Sequence, residues 1–366
     1  MIKDFKILPF CLFLPLLILA DDYSFDMDEL DTIEVKSYEY SGYLKSEYKY
    51  LNIKNESNIN NYLGEAMVDF KYYNDKLTIS SEFMANYENI DNNEDKSYSL
   101  NQLYLNYSFN KNHFINVGKV SSKWGKGYFF NPIAFIDRKK DPNNPELTKE
   151  GCELLGYKYN KAYLDSNLKN FTFDMVYLPT SRNQNNDLYN NSSNNIALKA
   201  YFLYFDTDID IVYLYSDKTA NKLGIDFSTN IETNFELHGE ATRDTDGLYS
   251  YLIGIKYLTH SDLTITSEYF YQNETLSQTE PFWDNRYFLN KLSQKEPFDI
   301  LYSSVYYKNS LNINDKSYQN TIGATYSFNN NIDTDLSIGN NHGKALSEYG
   351  SKRVSKFFSF EIKWSF

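Results

Sequence analysis

The chain has 366 residues, with 36 Lys and Arg against 49 Asp and Glu, a net charge of -13 that disfavours nucleic acid as a partner. Aromatic residues make up 17% of it, with 35 Tyr and 26 Phe, yet after residue 20 no apolar run is long enough for a membrane-spanning helix. That combination excludes a helical membrane protein and leaves two classes, a large soluble β protein or a barrel in which apolar and polar residues alternate.

The first residues read Met1-Ile-Lys-Asp-Phe-Lys6, then an apolar run from Ile7 to Ala20, then Asp21-Asp22. A short basic start, an apolar stretch below spanning length and a small residue before an acidic break predict a cleavable signal peptide over 1–20. Cys11 falls inside it, so Cys152 is the single cysteine of the exported chain and no internal disulfide is available. Residues 21–31 are acidic and aperiodic, and are read as an N-terminal periplasmic tail.

Residues 32–366 are read as one domain. From Val35 onward, alternating segments of about ten to fifteen residues are separated by Asn, Asp, Gly and Ser, the pattern of successive antiparallel strands. Tyr62, Ala66, Val68, Phe70 and Tyr72 share a face opposite Glu65, Asp69 and Lys71. Tyr249, Tyr251, Ile253, Ile255 and Tyr257 lie opposite Ser250, Gly254 and Lys256. Glu236, His238 and Glu240 lie opposite Phe235, Leu237 and Ala241. Tyrosine gathers at the ends of the apolar faces, as an aromatic girdle at a membrane surface requires.

Short turns are expected at 74–76, 110–113 and 206–208, and long connections at 121–151, 179–195 and 273–298. With periplasmic termini the long connections are external. Counting from the two termini differs by one strand, and the conflict localises to 273–298. The direct tally is seventeen; a further strand around Trp283 to Leu289 makes eighteen, and sixteen is the other even count. The expectation is an all-β, transmembrane antiparallel β-barrel of sixteen to eighteen strands, eighteen preferred.

Residues 118–151 break the alternation. Three Pro and four Gly exclude a continuous strand, while Trp124, Tyr128, Phe129, Phe130, Pro132 and Phe135 make the stretch too apolar for a solvated loop. It must pack on something, and the barrel's inner wall is the available surface. It is the third external loop, expected to fold inward as the third loop of general porins does. The segment W-G-K-G-Y-F-F-N-P also resembles a stretch of less-characterised bacterial outer-membrane barrels, some of which work beside inner-membrane exporters. Lys119, Lys123, Lys126, Arg138, Lys139, Lys140 and Lys149 stand against Asp137, Asp141, Glu146 and Glu150, a local positive excess in an acidic chain. Lys119, Lys123, Lys126, Asp137, Arg138, Lys139 and Lys140 are therefore the candidate constriction, favouring anionic solutes if they face the lumen. Facing outward, the same lysines would meet lipopolysaccharide phosphates.

No catalytic constellation emerges. His113, His238, His260 and His342 lack an ordered Ser partner, and Asp206, Asp208, Asp210, Asp333 and Asp335 read as turn formers or solvated carboxylates. No enzyme activity, cofactor or metal is expected.

The chain ends V-S-K-F-F-S-F-E-I-K-W-S-F, with Phe358, Phe360, Ile362, Trp364 and Phe366 on one face and polar residues opposite. This strand resembles the C-terminal strand of bacterial outer-membrane β-barrels of the porin type. The resemblance implies a cell outer membrane location, recognition by the barrel assembly machinery, contact with outer-membrane lipid and lipopolysaccharide, and passage of small hydrophilic solutes. A homotrimer is compatible with it. An export or assembly partner of an inner-membrane transporter, or a plugged structural surface protein, is the alternative.

Overall fold

The computed structural model describes residues 37–147, 149–188, 192–273, 286–328 and 331–366. The expected signal peptide (1–20) and acidic tail (21–31) lie outside the described residues. The described residues form one antiparallel sheet of eighteen strands. They are β1 (Tyr38–Ile53), β2 (Ile59–Tyr73), β3 (Leu77–Ile90), β4 (Asn93–Asn110), β5 (His113–Val120) and β6 (Cys152–Ala162). Next come β7 (Leu168–Thr180), β8 (Ser193–Tyr204), β9 (Thr207–Ser216), β10 (Lys222–Glu232), β11 (Phe235–Asp244) and β12 (Tyr249–Leu258). The last six are β13 (Leu263–Gln272), β14 (Arg286–Lys295), β15 (Ser303–Asn312), β16 (Tyr318–Phe328), β17 (Ile332–His342) and β18 (Val354–Ser365). Each pairs with its neighbour in sequence, and β18 pairs with β1, so no strand edge is left free.

The count of eighteen is the preferred one. The connection expected over 273–298 is not continuous: β14 occupies part of it, overlapping the extra strand placed around Trp283 to Leu289, of which 283–285 lie outside the described residues. Its alternation is hard to read because Arg286, Asn290, Lys291, Ser293 and Gln294 interrupt the apolar rhythm.

Period two sorts the side chains. Ile225, Ile253 and Phe360 are 50%, 51% and 42% exposed, whereas Asp226, Gly254 and Ser359, adjacent in sequence, are buried. In a closed sheet the convex side is the more exposed one, so the apolar faces point out to lipid and the polar faces into the lumen. Rings mark both rims of the outside: Tyr40, Phe109, Tyr204, Phe328 and Phe366 near the short turns, Tyr50, Tyr62, Tyr177, Tyr215 and Tyr249 near the long connections. The short turns are set by local chemistry, as where Asn74 Oδ1 accepts the backbone N–H groups of Lys76 and Leu77 at 3.0 and 2.9 Å.

The terminal strand completes the seam. Phe366 and Gly42 exchange both backbone hydrogen bonds at 3.0 Å, and Phe358, Phe360, Ile362, Trp364 and Phe366 stand on the outward face.

Candidate constriction inside the barrel

β5 stops at Val120 after only eight residues, and the chain turns inward instead of looping over the rim. Gly118, Lys123 and Gly125 take positive φ, which redirects the backbone down the wall. Gly125 and Gly127 allow the approach: a Cβ on Gly125 would lie 2.7 Å from Glu240 Oε1, and one on Gly127 would lie 2.2 Å from the Phe130 carbonyl oxygen. The return end is held at β4, where a register shift leaves the bulged Asn101 to accept the N–H of Gly151 at 2.8 Å.

Two wall carboxylates hold the segment through its backbone. Glu240 on β11 accepts the N–H groups of Lys126 (2.6 Å), Gly127 (2.7 Å) and Ile133 (3.1 Å). Glu268 on β13 accepts those of Tyr128, Phe129 (3.0 Å) and Phe130 (3.4 Å). Both acids are almost fully buried, so each amide they receive satisfies a donor and a charge at once. His238 Nε2 lies 3.0 Å from Glu268, and Tyr128 donates its hydroxyl to Glu236 at 2.8 Å. Glu236 is the second residue of β11, so the segment descends nearly to the short-turn rim.

Apolar packing follows the same path. Trp124, Ile133, Phe135 and Ile136 join Val176, Leu178, Ala197, Val212 and Leu214 in one buried cluster. Phe129 joins Leu252, Phe270, Tyr287 and Leu289 in a second, with Tyr128 and Phe130 packed on it; the Phe130 and Phe270 rings stack at 4.3 Å. Pro132 follows Asn131, whose carbonyl accepts the Ala134 N–H at 3.1 Å and whose side chain ties Arg138 and Lys140 back across the turn. Of the six residues expected to pack the segment inward, Trp124, Phe129 and Phe135 lie in these clusters, Tyr128 and Phe130 pack on the second, and Pro132 is in neither.

The seven charged residues expected at a constriction divide into two groups. Lys119 pairs with Glu150. Lys126 Nζ lies 3.5 Å from Asp210 Oδ2, beside Lys199, which also reaches Asp174. Arg138 makes a two-point pair with Asp187 (2.6 and 2.9 Å) and donates to the Gly151 carbonyl at 2.7 Å. Lys140 Nζ donates to the Gly127 carbonyl at 2.5 Å, and burial pushes its pKa down. Asp137 accepts from the backbone N–H groups of Lys123 (3.0 Å) and Arg138 (2.8 Å); burial pushes its pKa up. Only Lys123 and Lys139 are exposed.

Beyond Lys140 the segment crosses to β14 and β15. Lys291 meets Glu146 at 2.8 Å and holds that carboxyl below its usual range, and Ser310 donates to Asn143 at 2.9 Å. Among the described residues, its hydrogen bonds and ion pairs to the wall run to β4–β6, β9 and β11–β15; β16–β18 and β1–β3 carry none. The bare wall is polar and acidic: Asp335, Glu361 and Glu47 stand in direct register on β17, β18 and β1. Glu47 bonds Lys49 and Ser359, and Glu65 bonds Lys45 and Tyr43.

The anchoring groups Glu240, Glu268, Asp210 and Lys199 were not legible as such in the sequence. The one signal was acid, His, acid in alternation at Glu236, His238 and Glu240, an expensive set to leave unpartnered on a wall.

The barrel fold is found among solved structures. OccK5 (OpdH) of Pseudomonas aeruginosa is similar in fold with a TM-score of 0.57 at 9% identity, over 90% of this chain and 98% of that one. A Rhodopseudomonas blastica porin variant gives 0.50 at 12% identity, over 90% and 100%. The Escherichia coli outer-membrane protein Wzi, described as a carbohydrate-binding β-barrel involved in group 1 capsule assembly, gives 0.58 at 9%, over 89% and 84%. The likeness is one of fold. No family model matches the chain, and no curated protein is similar to it in sequence.

Proposed function

We propose that the protein is a porin-like channel of the outer membrane, through which small hydrophilic solutes diffuse passively past the segment Ser121–Gly151. One observation carries this reading: the segment packs on and bonds to the wall from β4 to β15 and, among the described residues, makes no hydrogen bond or ion pair to β16–β18 or β1–β3, whose inward faces are polar. A wide barrel needs such a narrowing to sieve by size. In planar bilayers the purified protein should give discrete conductance steps; a silent protein would end the channel reading. Insertion would proceed through the C-terminal strand by the barrel assembly machinery, and no turnover of phospholipid or peptide is expected.

Anion preference rests on Lys123 and Lys139, because Lys119, Lys126, Arg138 and Lys140 are engaged. The register of Asp335, Glu361 and Glu47 favours a second reading, in which the bare wall outweighs those two lysines and cations pass more readily. The sign of the reversal potential in a KCl gradient separates the two. A role as an export or assembly partner is favoured by how firmly the segment is held, by two apolar clusters and six backbone amides, as a permanent partial plug would be. Such a barrel would not conduct alone.

A further inference from the structure

The outward surface of β16, β17, β18 and β1 carries a hollow of about 540 Å³. It is lined by two parallel rows set by strand register. The row nearer the long connections is Asn320, Asn340, Lys356 and Asn52, and the row beneath it is Ile322, Ile338, Phe358 and Tyr50. Asn340 is the third residue from the end of β17 and Lys356 the third of β18, so the polar row lies at the depth where a bilayer's headgroups meet its chains.

The rows differ in their needs. Ile322 and Ile338 are 55% and 56% exposed, apolar surface that hydrocarbon covers. Among the described residues Lys356 has no ion pair and Asn340 no side-chain hydrogen bond, although Asn320 and Asn52 are engaged by Tyr307, Asn309 and Asn58. An ammonium at a membrane surface, flanked by amides with no carboxylate in its row, lacks a counter-charge.

We propose that this hollow holds one molecule of a phosphorylated lipid of the outer leaflet, with an acyl chain along Ile322, Ile338 and Phe358 and a phosphate on Lys356 and Asn340. The proposal rests on the outer-membrane reading above. Phosphate supplies the missing charge and hydrocarbon the missing cover, in the vertical order the two rows require. A second copy of this chain pressed row against row would instead bring two ammonium groups together.

The test is native mass spectrometry of the detergent-purified protein titrated with diphosphorylated lipid A, comparing wild type with Lys356→Glu and Ile338→Trp. One tight site is expected in wild type, weakened at least tenfold by the charge reversal and by filling the hollow. Equal occupancy in all three proteins would overturn it, as would an oligomer that both variants dissociate while lipid binding is unchanged. Neither residue faces the lumen, so bilayer conductance of the same samples reports separately on the channel reading.

Discussion

Glu240 and Gly127, 113 positions apart in sequence, meet at 2.7 Å, the carboxylate of one receiving the backbone N–H of the other. The contact ties the inner segment to β11, and with Glu268 on β13 it fixes where the segment lies against the wall. Hydrogen bonds to a buried charged group contribute about 1.5–3 kcal/mol each, so these two anchors outweigh the segment's exposed ion pairs.

Glu240→Gln with Glu268→Gln should therefore release the segment without opening the barrel. An amide cannot match a carboxylate that accepts three N–H groups, and its own NH₂ adds donors where acceptors are needed. Single-channel conductance is expected to rise and become noisy while the unboiled protein keeps its anomalous mobility on a denaturing gel. Unchanged conductance would show that the segment does not limit the bore.

Selectivity and segment stability should separate by residue. Lys123→Gln with Lys139→Gln is expected to shift the KCl reversal potential toward cations at unaltered thermal stability. Arg138→Gln, which breaks the two-point pair with Asp187 and the bond to Gly151, should instead destabilise the fold by about 1–3 kcal/mol, as for loss of a partly buried charged partner, and so lower the unfolding midpoint. A reversal potential that moves equally in both variants would contradict the division.

Gly127→Ala places a methyl where the Phe130 carbonyl and Leu252 already stand. Either the 125–133 turn shifts or Leu252 moves, and both loosen the Phe129 cluster. Limited proteolysis in detergent should cut this variant within 121–151 faster than wild type.

Asp137 gives a pH dependence with a definite sign. Burial holds its folded-state pKa above the unfolded value, so its contribution to stability is full below the unfolded pKa and is lost as pH rises through the folded one. Asp137→Asn removes the titration and keeps one of the two oxygens that accept the Lys123 and Arg138 N–H groups, a loss that does not vary with pH. Between acid and neutral pH, the unfolding midpoint of wild type relative to this variant should fall; parallel curves would show that Asp137 is not strained by its burial.

Removing Phe366 tests the closing seam. The deletion takes away both backbone bonds to Gly42 and the outermost ring of the terminal strand. The folded fraction recovered from membranes, read as heat-modifiable protein, is expected to drop. Full recovery would reduce this strand to an ordinary wall element.

Alternation every second residue, with tyrosine at the ends of the apolar faces, was enough to predict a closed transmembrane barrel and to say which side of each strand meets lipid, because both follow from local geometry and the solvent each face must satisfy. Proline, glycine and aromatic content likewise marked 118–151 as a segment that must pack rather than dangle. Where it packs was decided only by closure: Glu240 and Glu268 reach Gly127 and Phe129 because strand order brings β11 and β13 across the lumen from β5. The same closure engaged Lys119, Lys126, Arg138 and Lys140 and left Lys123 and Lys139 exposed, a sorting that residue type alone does not contain. Charge counts along a chain add; the field inside a barrel depends on which charges have already found partners.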